Sequence, residues 1–267
     1  MKHIMKLAVV GLMLLGLVVM ASGCGGAGET TDITGLKDLV GKKVGVQANT
    51  TGQYAAEKVE GMKNEDIKKY PTTPDALMAL STGEVDAVVA DSPVVLNYIK
   101  HNPEIGLKTV EDDFEKEYYG MAVKEGNKEL LDGINDALAA IKENGTYDKV
   151  YNKYFGEASG GTDFKVEPVE SDKTLVVGTE AAYAPFEWQE NGEITGFDAD
   201  LIQAIAAEMG VKLVHQNVAW DALYPSLNTG AIDAVISAMT ITEEREQEVD
   251  FSEPYFEAMQ IIAIRGK

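Results

Sequence analysis

The chain has 267 residues, 45% of them hydrophobic, enough to fill one large core or two modest ones, which places it among globular proteins. Its formal net charge of −21 leaves no basic face and argues against nucleic acid or an anionic membrane surface as a partner. The single cysteine, Cys24, excludes an intramolecular disulfide and cysteine catalysis inside the fold.

Residues 1–23 place Lys2 and Lys6 ahead of a short apolar run and then small residues, the pattern of a secretory signal too short to span a membrane comfortably. Ala21-Ser22-Gly23-Cys24 is similar to a bacterial lipobox, in which Cys24 is lipidated and becomes the mature N-terminus. Ala21 stands where Leu is commoner, and cleavage to a free secreted protein is the alternative. Residues 24–33 are polar and Gly-rich and read as a flexible tether.

Residues 43–46, KVGV, are a predicted strand, followed by a turn at Thr50, Thr51 and Gly52 whose amides and hydroxyls suit a carboxylate. DALMALSTGEVDAVVAD, residues 75–91, reads as a helix and then a buried strand ending on Asp91, which can cap a helix beginning at Ser92-Pro93. YYGMAV, 118–123, is a lone apolar strand, and helical spacing follows through Leu130, Ile134, Leu138 and Ile141. Residues 157–173 mix Gly, Ser, Pro and acids without periodicity and read as an exposed linker. After a strand at 175–178, Asp198 can cap a helix built on Leu201, Ile202, Ile205 and Met209 and ended by Gly210. AIDAVIS, 231–237, is a buried strand. Arg245 falls in the expected first turn of a helix, where a cation is disfavoured unless an anion is close; Glu243 and Glu244 offer a local partner, a bound carboxylate another. MQIIAI, 259–264, is a second lone strand.

TGEVDAVVAD at 82–91 and TGAIDAVISA at 229–238 are nearly one phrase written twice, and DAL precedes each at 75–77 and 221–223. Both halves thus read strand, helix, strand, and the repeat predicts two α/β lobes, each a mostly parallel sheet flanked by helices. Ligands gather beyond the carboxyl ends of such strands. Those ends deliver Gln47 to Gly52 and Asp91 from one half, and Glu180 to Tyr183 and Ser237 to Thr240 from the other. Two lobes facing each other across a hinge would gather them round a small molecule. No spaced Cys/His set, nucleophile elbow, phosphate loop or dinucleotide fingerprint stands out, so no metal, cofactor or catalytic residue is assigned.

Along GTEAAYAPFEWQENGEITGFDADL and ISAMTITEEREQEVDFSEPYF the chain resembles the bilobal solute-binding proteins of amino-acid ABC importers. LKDLVGKKVGVQANTTG, VDAVVADSPVVLNYI and the stretch from YYGMAV to KYFG are similar to the family's remaining segments. In the usual family chain the part beginning TLVVGTE comes first, and MQIIAIRGK runs into ITGLKDLVGKK; here these two lie at opposite ends, so the sequence looks circularly permuted. A fusion of halves from two different binding proteins is the duller alternative. The resemblance implies a two-lobed periplasmic-binding-protein-like (Venus flytrap) fold: signal 1–23, tether 24–33, a first lobe 34–116 completed by a strand at 259–267, and a second lobe 117–258 that contains the linker 157–173.

Under that resemblance Arg245 grips the ligand α-carboxylate bidentately, helped by Thr240 and backbone amides near Ala238, Asp91 receives the α-ammonium, and Ser237 is a further ligand-binding residue. Thr50, Thr51 and Gly52 meet the carboxylate from the opposite lobe. Tyr183 and Trp220, which in an unlabelled sequence are more often core residues, sandwich the ligand side chain, with Glu180 and Gln47 at its far end. Glu180 favours a cationic group there, so arginine or lysine is expected, with glutamine the alternative. The implied protein is a monomeric, lipid-anchored, extracytoplasmic receptor that hands a free L-amino acid to an ABC importer permease. A dehydratase-like enzyme on the same fold is the competing class; Asp91, suited to an ammonium, speaks against it. A sensor input module is a third.

Overall fold

A computed structural model describes residues 33–156 and 164–266; the expected signal segment, Cys24, almost all of the tether and the start of the 157–173 linker lie outside the described residues. The first half runs β1 (Val44–Gln47), α1 (Thr51–Glu57), β2 (Ile67–Tyr70), α2 (Thr73–Thr82), β3 (Ala87–Asp91), α3 (Ser92–His101) and β4 (Leu107–Val110). Two short strands follow, β5 (Lys116–Tyr119) and β6 (Ala122–Lys124), then α4 (Lys128–Glu143) and α5 (Thr146–Phe155). The expected helical spacing through Leu130 to Ile141 is α4, and Gly145, with a left-handed φ of 77°, separates it from α5. The second half runs β7 (Thr174–Thr179), the small sheet β8 (Ala182–Tyr183), β9 (Glu187–Glu190) and β10 (Glu193–Thr195), α6 (Phe197–Met209) and β11 (Lys212–Asn217). It ends with α7 (Leu223–Thr229), β12 (Ala234–Val235), β13 (Val249–Phe251) and β14 (Phe256–Arg265).

The repeated phrase has a local physical cause. Gly83 and Gly230 end α2 and α7 in the left-handed region at φ 82° and 75°, the backbone that lets each chain turn back at once into a strand. Val85 and Ile232 then bury, and the aspartate that follows clamps the neighbouring strand: Asp86 Oδ2 accepts from the Lys43 amide at 2.9 Å, and Asp233 Oδ2 from the Val176 amide at 2.8 Å. Each copy therefore ends a helix and fixes the register of the strand beside it.

Two sheets result, in the orders β2-β1-β3-β14-β4 and β11-β7-β12-β6-β13. In each, four of the five strands run the same way and a single strand, β14 in the first and β6 in the second, runs against them, so both are the mostly parallel sheets expected. The last strand of the chain, β14, lies between β3 and β4, and its first residues pair with β5, so one long strand serves both the first sheet and the passage to the second. The expected boundaries at 116/117 and 258/259 fall inside these two paired strands. AIDAVIS is strand only at Ala234–Val235, because the backbone turns away at Ser237 and Ala238.

An aromatic core behind the second sheet holds the elements that carry the cleft. Phe186, Phe197 and Phe256 pack with Phe155 of α5, with Phe155 and Phe256 4.8 Å apart and Phe186 edge-on to Phe256 at 4.9 Å. Burying such rings stabilises by about 2 to 3 kcal/mol each. This cluster fixes the start of α6 and the turn into β9.

Candidate functional site

The carboxyl ends of β1, β3 and β7 and the turn after β12 converge on one void of about 310 Å³, counted with its opening to solvent. Every residue expected from sequence to contact a ligand lines it except Gly52. Gly52 sits behind the lining: a Cβ there would come within 2.7 Å of the Val89 carbonyl oxygen, so glycine is required for packing of α1 on β3.

At one end lies Asp91, at the C-terminus of β3. It occupies the capping position of α3 but makes no side-chain cap; its carboxylate instead accepts from the Tyr119 hydroxyl and from Gln260 Nε2. Burial pushes its carboxyl above the usual range, against the Tyr119, Tyr183 and Gln260 hydrogen bonds and the Arg245 charge that hold it down. Strand register makes this contact: Gln260 of β14 stands directly opposite Asp91. Two residues before it, Ala258 stands opposite Glu117 of β5, which brings Glu117 Oε1 to 3.1 Å from the same Gln260 nitrogen.

Arg245 opens a single turn of 3₁₀ helix, too short for the dipole penalty expected of it. It is buried and pairs with neither Glu243 nor Glu244. Its Nη1 donates to the Thr240 carbonyl at 2.8 Å and its Nη2 to the Asn49 carbonyl at 3.3 Å, while its guanidinium lies 5.4 Å from the Trp220 ring centre. The Trp220 Nε1 donates to the same Asn49 oxygen at 3.2 Å. Asn49 holds a left-handed φ of 60°, which Asn tolerates better than most residues, and its carbonyl thereby ties the first half to two side chains of the second.

The far end is set by Glu180 and Gln47. Thr73 donates to Gln47 Oε1 at 2.9 Å, which turns Gln47 Nε2 onto Glu180 Oε2 at 2.7 Å. Glu180 is 7% exposed, and burial raises its carboxyl above the usual range, the Gln47 bond opposing. With one amide hydrogen of Gln47 on Glu180 and its oxygen on Thr73, the Glu180 carboxylate is the acceptor this end offers. Thr50, at the start of α1, donates to the Gln47 carbonyl at 2.8 Å. Tyr183 is buried in the wall.

Beneath the cleft, the turn at Ser237-Ala238 rests on two carboxyls. Ala238 holds a positive φ of 44°, costly for a residue with a Cβ, and its amide donates to Asp198 Oδ2 at 2.8 Å. The amide expected to help hold a ligand carboxylate is therefore engaged inside the protein. Asp198 does not cap α6 either: Gly196 is the capping residue, and Asp198, fully buried within the first turn, also accepts from Tyr255 Oη at 2.8 Å. Ser237 accepts from the Glu180 amide at 3.0 Å and donates to Glu187 Oε1 at 2.8 Å. The remaining oxygens, Glu187 Oε2 and Asp198 Oδ1, have no other partner, and burial raises both carboxyls, Asp198 to about 6 and Glu187 well above the usual range. One proton shared between them satisfies both.

Glu117, Gln260, Glu187 and Asp198 were not read from the sequence as parts of the site, and Asn49 was only spanned by the strand-end stretch 47–52. The signals existed for two of them. Glu117 and Tyr119 share a strand face by alternation, and Gln260 is the polar interruption in an apolar run. Among the described residues no group of three or more His, Cys, Asp or Glu could hold a metal, and no helix is long and apolar enough to cross a membrane.

The profile of the bacterial extracellular solute-binding proteins, family 3, matches residues 63–157 and 175–267. The chain belongs to that family. A probable histidine-binding protein of Neisseria gonorrhoeae is 40% identical over 119 residues, which are 44% of this chain and 44% of that protein. The putative ABC transporter arginine-binding protein 2 of Escherichia coli K12 is 37% identical over 133 residues, 48% of this chain and 53% of that protein. The chain thus spans about half the length, or less, of these relatives in each match. A solved ancestral arginine-binding protein bound to arginine shares 54% identity over 31% of this chain and 37% of its own, with a TM-score of 0.31.

Proposed function

We propose that the protein is an extracytoplasmic receptor of an ABC importer that closes two lobes on a free basic amino acid, arginine or lysine first. The observation that carries this reading is the charge of the void: one buried guanidinium, Arg245, shares it with two buried carboxyls, Asp91 and Glu180. A ligand carboxylate answers the guanidinium, an α-ammonium answers Asp91, and a cationic side chain answers Glu180. The Glu180 carboxylate favours a donor-rich, cationic group, so glutamine, with one neutral amide, is the second reading. A Kd near 1 µM corresponds to roughly −8 kcal/mol, within reach of two charge-assisted pairs and aromatic burial. The ligand-dependent step is closure, favoured by contacts made from both halves.

The family is one of binding proteins, and the paired acid and guanidinium suit retention of an amino acid better than elimination from one. The reading extends to a circularly permuted chain with lobes at 34–116 plus 259–267 and at 117–258. The placement of β14 between β3 and β4, and matches that each cover about half a relative, both agree with it. Lipid on Cys24 would hold the mature protein at the membrane near its permease, as a monomer with no cofactor.

Calorimetric titration of the purified protein with arginine, lysine, histidine and glutamine tests the reading. Binding of one of them at micromolar strength supports it and names the ligand; no binding by folded, ligand-free protein sinks it. Moving residues 173–267 ahead of residues 34–156 in one chain tests the permutation, since the reordered protein should bind the same ligand.

A further inference from the structure

Glu117 stands at the back of the cleft on β5, in contact with residues from both halves, and neither the sequence nor the family match assigns it a role. Its Oε2 accepts from Thr51 Oγ1 at 2.8 Å and from Thr240 Oγ1 at 2.7 Å. Thr51 begins α1 in the first half, and Thr240 follows the Ser237-Ala238 turn in the second. A bridge between Tyr119 and Thr240, with the Ile241 amide on the Tyr118 carbonyl at 2.8 Å, seats the Thr240 segment against β5. Gly120 permits that approach, since a Cβ there would meet Ile241 at 2.9 Å.

A threonine hydroxyl has one proton and two lone pairs. With that proton on Glu117, the oxygen of Thr240 can only accept from whatever occupies the void. Thr51 Oγ1 is likewise acceptor-only; Gln260 Nε2 lies 3.1 Å from it and shares its two hydrogens among Thr51, Asp91 and Glu117. We propose that Glu117 is a positioning residue that sets the hydrogen-bond polarity of the cleft: by holding the Thr51 and Thr240 protons, it presents their oxygens to a ligand ammonium and denies them to a carboxylate. The expected assistance of Thr240 to the ligand carboxylate is thereby reassigned. An ammonium has three protons to place, and Asp91 and Thr240, both lining the void, offer acceptors of the kind it needs. Burial, then the Asp91 charge, raises the Glu117 carboxyl, and the Thr240, Thr51 and Gln260 bonds counter this. The inference rests on the amino-acid reading above.

The test is ligand-detected NMR titration, which reads millimolar as well as micromolar binding. The purified full-length protein, Glu117→Gln and Thr240→Val are each titrated with arginine, lysine and histidine and with the counterparts in which hydrogen replaces the α-amino group. Glu117→Gln should weaken the amino acid about tenfold or more and leave its des-amino counterpart within about twofold, because a neutral amide oxygen holds the hydroxyl protons less firmly than a carboxylate and the new NH2 can only donate. Thr240→Val, which keeps Glu117 and removes the accepting oxygen, should give the same selective loss and decides the matter if Glu117→Gln does not fold. Equal weakening of both compounds, or of neither, overturns the proposal and leaves the receptor reading intact. Binding of none of the six by the parent protein overturns both.

Discussion

Two pairs of carboxyls, Asp91 with the half-buried Glu117 and Glu187 with Asp198, differ in what they lack. Asp91 and Glu117 are surrounded by donors: Tyr119 and Gln260 on the first, Thr51, Thr240 and Gln260 on the second, with the Arg245 charge close to Asp91. Asp91 opens on the void. Glu187 and Asp198 are sealed behind it, each fully buried and each with one oxygen that no other group satisfies. Burial raises all four carboxyls, but only the first pair is placed where a cation from outside can answer the charge, while the second can be answered only by a proton. The difference separates a pair that serves binding from a pair that holds the backbone of the binding turn.

The largest effects fall on the open pair's side. Asp91→Ala and Arg245→Ala should each weaken amino-acid binding by about 100-fold or more, since removing one partner of a buried charge pair costs roughly 2 to 5 kcal/mol. Calorimetry on both variants checks this. Binding within a few fold of the parent in either one would remove that residue from the site.

Next in size is the sealed pair. Asp198→Ala leaves the Ala238 amide and the Tyr255 hydroxyl without an acceptor and should cost about 2 to 4 kcal/mol of stability. Urea unfolding measures it. Because Ala238 holds a positive φ only while its amide is anchored, binding should weaken together with stability. In Asp91→Ala, by contrast, binding should fall far more than stability.

How far the sequence revealed this follows from the range over which each signal acts. The repeated phrase was legible because it is local: a glycine that ends a helix, an apolar residue that buries and an aspartate that clamps the next strand stand within five positions. Strand ends could be aligned on that phrase, so Gln47, Asp91, Glu180 and the Ser237 turn could be named together. What was missed depends on pairing between distant segments. Gln260 meets Asp91 only because β14 inserts beside β3, and Glu117 meets Thr240 only because β5 passes the turn after β12. Asp198 was read as a helix cap because its position allows it, whereas the fold buries it under Ala238 instead. Which hydroxyl or amide is already engaged, the fact that decides what a pocket offers a ligand, is set by these long-range contacts.

A smaller effect tests the far end of the void. Glu180→Gln removes its charge and keeps its shape, so binding of arginine and lysine should drop about tenfold relative to glutamine. Competition among the three ligands reads that ratio directly, and an unchanged ratio would place the cationic group elsewhere.

The subtlest test asks whether Glu187 truly holds a proton. An unfolded glutamate ionises near 4.5, whereas burial raises the folded group well above that. Above pH 4.5 the unfolded chain therefore binds fewer protons at this position than the folded one, and the Glu187 contribution to stability falls as pH rises. A glutamine is shaped like the protonated acid: its oxygen can accept from Ser237 and its amide can donate to Asp198. Glu187→Gln should thus match the parent near pH 4 and exceed it by a margin that grows through neutral pH, with amino-acid binding preserved. His215, lowered to about 4 by burial, loses stability on the acid side in both proteins and so cancels from the difference. Denaturant unfolding of the two proteins from pH 4 to 8 supplies that difference. A variant less stable than the parent at every pH would mean that Glu187 is ionised, and the contrast between the two carboxyl pairs would collapse into two cation sites of one kind.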